Sequence, residues 1–135
     1  MFADLLDSAQ KHTLVQVLCE VAAADGQILE VERELIHRYA LSLGLSAEAL
    51  EGTLVQPQRP DTLEDYPDAA KRIIYLEAAT LAMLDAELAD KEVQTLERLA
   101  DRLGLSRTMA QRLEQHVQQG FDWNAAGLRL VEEGC

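Results

Sequence analysis

Between two apolar segments stands the stretch Ala23-Ala24-Asp25-Gly26-Gln27-Ile28-Leu29-Glu30-Val31-Glu32. Before it, Leu14, Val15, Val17, Leu18, Val21, Ala22 and Ala24 are apolar around most of a helical girth, which marks a buried helix. After it, Val31, Leu35, Ile36, Tyr39, Ala40 and Leu43 recur with the 3.6-residue period of a one-sided helix. Arg33, Glu34, His37, Arg38 and Ser42 then fall on its water side. Asp25-Gly26 is turn chemistry, and the acids that follow suit a helix start. The stretch therefore reads as helix, acidic loop, helix.

The same unit returns 60 residues later without a gap. Aligning 17–49 with 77–109 gives nine identities: Ala22/Ala82, Asp25/Asp85, Glu32/Glu92, Arg38/Arg98, Ala40/Ala100, Leu43/Leu103, Gly44/Gly104, Leu45/Leu105 and Ser46/Ser106. Ordinary residue frequencies would give roughly two. Asp85-Ala86-Glu87-Leu88-Ala89-Asp90-Lys91-Glu92 is the second acidic loop. Ile73 through Leu84 repeats the buried helix, and Ala22, Ala23, Ala78, Ala79 and Ala82 allow the two central helices to approach closely. Gly44 and Gly104 fit the left-handed position that ends a helix, and Ser46 and Ser106 fit the cap of the next.

The expected architecture is all-α: a single compact helical domain over 1–135, with pseudo-two-fold symmetry between the copies. Repeat one spans about 11–55 and repeat two about 68–118. Pro57, Pro60 and Pro67 mark a linker at about 56–67. A separate C-terminal helix at about 122–132 is expected, capped by Asp122 after Gly120 and docked by Phe121 and Trp123. A short amphipathic helix through Phe2, Leu5 and Leu6 is expected at the start.

Twelve Lys plus Arg stand against 24 Asp plus Glu, a net charge of −12. Such a surface repels phosphate backbones, and 4% aromatic residues leave little for base stacking, so no nucleic-acid partner is expected. It suits cations and basic protein surfaces. No apolar run is long enough to span a bilayer. Met1-Phe2-Ala3-Asp4-Leu5-Leu6-Asp7 has two acids and no basic region, which is not the pattern of a signal peptide, and a cytoplasmic protein is expected. Cys19 and Cys135 have no metal-type spacing, and Cys19 reads as a buried, inert thiol.

The acidic loops carry a family resemblance. Ala24-Asp25-Gly26, the apolar Ile28, the acids opening the next helix and the ending Leu43-Gly44-Leu45-Ser46 resemble the TerB family associated with tellurite resistance, over about residues 10 to 115. The resemblance implies an all-α, non-enzymatic module with a role in stress response. It also implies acidic loops grouped on one surface, with Ca²⁺ or another divalent cation bound there. Leu29 and Ala89 depart from it, standing where a capping side chain is usual, and Ala86 replaces a glycine.

Two readings of the acids stand side by side. Hard cations take several oxygens at about 2.3–2.6 Å, and Asp25, Glu30, Glu32, Asp85, Glu87, Asp90 and Glu92 would supply them if the loops meet at one end. Alternatively, Glu32 and Glu92 reach back as capping-box partners, Asp25 and Asp85 replace the missing caps, and the acidic face binds an unidentified basic protein partner without metal. An EF-hand is excluded: counting from Asp25, Glu30 stands where Gly is required and Ile36 where a bidentate Glu is required. His12, His37 and His116 share no ligand spacing, and no nucleophile elbow or phosphate loop is present, so no catalytic residue is assigned.

Overall fold

The computed structural model describes residues 2–24, 28, 30–55, 63, 65–84 and 90–134, and every element among them is helical. A 3-10 turn, Phe2–Leu5, precedes six helices: α1 (Ser8–Ala22), α2 (Glu30–Ser42), α3 (Ala47–Val55), α4 (Asp68–Ala82), α5 (Asp90–Leu103) and α6 (Arg107–Glu133). The expected N-terminal amphipathic helix is thus a single tight turn. It buries Ala3 and Leu6 and leaves Phe2 and Leu5 outside.

Asp7 sets the start of α1 through a reciprocal box. The Gln10 N–H donates to Asp7 Oδ1 at 2.8 Å and the Asp7 N–H to Gln10 Oε1 at 2.9 Å. Packed against each other, α1 and α4 form the centre of the molecule, with Leu14, Val17, Leu18, Cys19, Ile74, Ala78, Ala79 and Leu81 all within 1% of full burial. Burial this complete pushes the Cys19 thiol up to about 12, so it stays protonated and inert. Around this pair, α2 and α3 lie against α1, while α5 and α6 lie against α4. Leu63 is 2% exposed, and the Tyr66 hydroxyl meets Thr13 Oγ1 at 2.8 Å, so the segment expected as a linker is docked where it is described.

Some local features of the two halves match. Both α1 and α4 have 15 residues, and the cap N–H groups of Ala23 and Met83 each bond the carbonyl four residues back. Gly44 and Gly104 have φ of 79° and 70°, a region that strains any residue with a Cβ. Past them, Leu45 N–H meets Ala40 O and Leu105 N–H meets Ala100 O, each at 2.9 Å. The Ser106 side chain then caps α6, accepting from the Met109 N–H at 3.1 Å.

Three expectations need correcting. Residues 107–133 form one continuous helix, not two broken near Gly120. Asp122 lies inside it and accepts from Gln118 Nε2 one turn earlier, at 3.0 Å, instead of capping a new start. Trp123 is 77% exposed and docks nothing, although Phe121 packs on the core. On α2, Val31 is 49% exposed and Glu32 only 3%: the buried stripe is Glu32, Ile36, Tyr39 and Ala40. That stripe keeps the i, i+4, i+7, i+8 spacing of one helix face, and Val31 is rotated off it.

Candidate functional site

Two of the seven acids expected to bind a cation have described side chains. Glu30, the first residue of α2, is exposed, and Glu32, one turn into the same end, is buried. Asp25, Asp85 and Glu87 lie outside the described residues. Asp90 and Glu92 fall in the first turn of α5, their side chains likewise outside the description. The expected meeting of the two loops at one end concerns those residues too. No group of three His, Cys, Asp or Glu side chains able to hold a metal occurs among the described residues.

What the helices do bring together is a second arrangement, one that sequence reasoning missed. Glu77 stands in the middle of α4 and is 4% exposed. The Tyr39 hydroxyl, from α2, donates to its Oε2, and the Phe2 N–H donates to Oε1 at 3.3 Å. Each carboxylate oxygen therefore has a donor, which makes a buried carboxylate tolerable. Burial, then the hydrogen bond to Glu77 and its charge, push the Tyr39 phenol far above its usual range.

Glu77 and Tyr39 line a groove of about 520 Å³ between α2, α4 and α6. Its walls are mostly apolar, with Leu35, Leu76, Val117 and Phe121, and Arg38 and His116 also line it. A related pair lies on the far side of α4, where the Tyr75 hydroxyl donates to Glu114 Oε1 of α6 at 2.6 Å and its phenol is likewise raised, chiefly by burial. In each case a phenol holds a carboxylate across a helix interface. The one sequence signal for Glu77 was its place as a lone acid in the apolar run from Ile73 to Leu84; its partners lie 38 and 75 residues away.

Elsewhere, Arg102 Nη1 spans both oxygens of Glu20, at 2.9 and 2.8 Å, joining the last turn of α5 to α1. Arg33 and His37 of α2 both reach Glu51 of α3, at 3.3 and 3.0 Å. His37 is thus half-buried in an ion-pair cluster and not grouped with other metal ligands.

Residues 1–53 match the family model described as Tellurite resistance protein TerB. Over that stretch, less than half of the chain, the sequence is similar to TerB. The match runs from the N-terminal turn into α3 and includes Asp25, Glu30, Glu32 and the Leu43–Ser46 ending. No curated protein and no solved structure matches the chain. The all-helical architecture agrees with a TerB-like module. Among the described residues, no helix is long and apolar enough to cross a membrane.

Proposed function

We propose that this chain is a non-enzymatic TerB-like module of the stress-response type, a single domain of two copies of one unit, whose acidic loops bind a divalent cation such as Ca²⁺. The observation that carries this reading is the inversion at the start of α2. Glu32 is 3% exposed while its neighbour Val31 is 49% exposed, against the preference of both side chains. A carboxylate is drawn inside at the head of the loop that resembles the TerB pattern, within two residues of the acid Glu30. Glu32 has an interaction within the chain, and a hard cation would add to it the oxygen coordination that acids at such a loop can supply.

Support for the two-copy reading comes from the paired helix lengths, caps and left-handed glycines at a constant offset. Glu92 holds the position of Glu32 in that offset, at the head of the buried stripe Leu96, Leu99, Ala100 and Leu103. Calorimetric titration of chelator-treated protein with Ca²⁺, Mg²⁺ and Zn²⁺ tests the proposal. Saturable heat with at least one ion is expected. No heat with any of them ends the metal reading and leaves the acidic loops as a face for a basic protein partner.

A further inference from the structure

The second half of α6 carries apolar side chains that stand exposed among the described residues. Trp123, Leu128, Leu130 and Val131 are 77, 57, 59 and 84% exposed. Val117, Gly120, Phe121 and Asn124 line the groove beside Glu77. At helical spacing the same stripe continues through Gly127, Leu128 and Val131, beyond the groove. Groove and bare helix are therefore one continuous face.

One feature of that face has no packing use among the described residues. Gly120 and Gly127 stand in the interior of a 27-residue helix, where glycine weakens the helix relative to alanine. A Cβ added at either would meet nothing within 4 Å. Neither is needed for packing here, and both lie where another helix could approach closely. The charges are also complementary. Arg38 lines the groove, while Glu132 stands near the end of α6 on an exposed position. Because α6 is one unbroken helix, it carries this end away from its own groove.

We propose that a second copy of this chain covers the face, with the two α6 helices antiparallel and crossing at Asn124. Equal steps along the helices bring Val117 to the level of the second copy's Val131. Gly120 and Phe121 come to the level of its Gly127 and Leu128. Its Glu132 comes to the level of His116, with Arg38 across the groove. The two-fold operation makes every one of these contacts twice, as an isologous dimer requires. An Asn at the centre of an otherwise apolar helix seam favours one register over its slipped alternatives. The second copy's Leu128 and Val131 fill part of the apolar groove, and its Trp123 flanks the seam.

Sedimentation equilibrium of the full chain should give twice the monomer mass. Leu128→Asp/Val131→Asp should give the monomer mass with helix content unchanged, since both side chains are exposed in the single chain. Gly127→Leu should also weaken the dimer while raising the melting temperature of the monomer, a combination that a purely intrachain role cannot produce. Asn124→Cys in a Cys135→Ser background should oxidise to a covalent dimer, while buried Cys19 stays reduced. In that background, mixed His116→Cys and Glu132→Cys chains should cross-link to each other, which a parallel pair would not allow. A parent that stays monomeric across the accessible concentration range overturns the proposal. So does a dimer indifferent to Leu128→Asp/Val131→Asp, or a monomer that pellets with lipid vesicles through this face.

Discussion

Tyr39 of α2 gives its hydroxyl hydrogen to Oε2 of Glu77 in α4, tying two helices across 38 residues of chain inside the core. The bond is asymmetric in what its removal exposes. Tyr39→Phe leaves a buried carboxylate oxygen without its donor and should cost about 1–3 kcal/mol. Glu77→Met removes the charge and leaves Tyr39 the smaller task of finding an acceptor or water in the groove. The double variant Tyr39→Phe/Glu77→Met should lose less than the sum of the singles, because it strands neither member of the pair and leaves only the Phe2 N–H without its acceptor, as Glu77→Met alone does. Urea denaturation of the four proteins checks this, and strict additivity would show that the pair does not act as a unit.

Alkaline stability follows from the same burial. Tyr39, Tyr75 and Cys19 are all held protonated in the fold above their ordinary pKa. Stability from such groups is complete below the unfolded-state pKa and declines as pH rises, because the unfolded chain releases the proton first. Cys19 begins to act above its ordinary value of 9.0 and ceases near 12; the two phenols join above 10.0. Each contributes a slope of about 1.4 kcal/mol per pH unit. Unfolding free energy should therefore be insensitive to these groups up to about pH 8.5 and fall progressively above it. Cys19→Ala should flatten the part of that fall between pH 9 and 10 and reduce, without abolishing, the slope from pH 10 to about 12, where the two phenols still act. Phenolate absorbance from Tyr39 and Tyr75 should appear only together with unfolding.

The left-handed glycines give a paired test of whether the two halves are built alike. Gly44→Ala and Gly104→Ala should each lose roughly 1–2 kcal/mol, because a Cβ is strained at φ of 79° and 70° although nothing stands near it. The two losses should be similar. Gly52→Ala is the control: it lies inside α3 with open space around its Cα and should gain roughly 0.5–1 kcal/mol. Chevron or equilibrium denaturation separates the outcomes, and a neutral Gly44→Ala beside a costly Gly104→Ala would mean that the halves are not built alike.

These sites also mark where the sequence was readable. Helix ends were, because Gly44-Leu45-Ser46 and its repeat act through local backbone chemistry. The central helices were readable because Leu14 to Ala22 and Ile73 to Ala82 are apolar on nearly every side. Glu77 was not: its place inside depends on Tyr39 and Phe2, and no local pattern announces partners so far along the chain. The break expected at Gly120 failed for a related reason. Local glycine propensity was outweighed by the regular helix on both sides and by the packing of Val117 and Phe121. Glu32 was expected to be a cation ligand or a capping-box acid, but its burial could not be foreseen, because Val31 beside it offers hydropathy the better candidate for the core.

Glu32 also decides between the two readings of the acidic loops. Glutamine has the same length and keeps a carbonyl oxygen, so Glu32→Gln can still accept an N–H as a capping-box residue does. It cannot supply the charge that a hard cation draws on. If Glu32 only caps, the variant should match the parent within about 0.5 kcal/mol, and neither protein should respond to Ca²⁺. If it is a ligand, the parent should gain about 1.4 kcal/mol at ten times its dissociation constant, a rise of a few degrees in melting temperature. The variant should then lose most of that rise. Its metal-free stability should hold or improve as repulsion with Glu30 and the other loop acids is relieved. The Asp25→Asn/Asp85→Asn double variant should behave in the same way. Thermal melts of parent and variants in chelator and in millimolar Ca²⁺ read all of these outcomes, and a parent that melts at the same temperature in both rules out the cation.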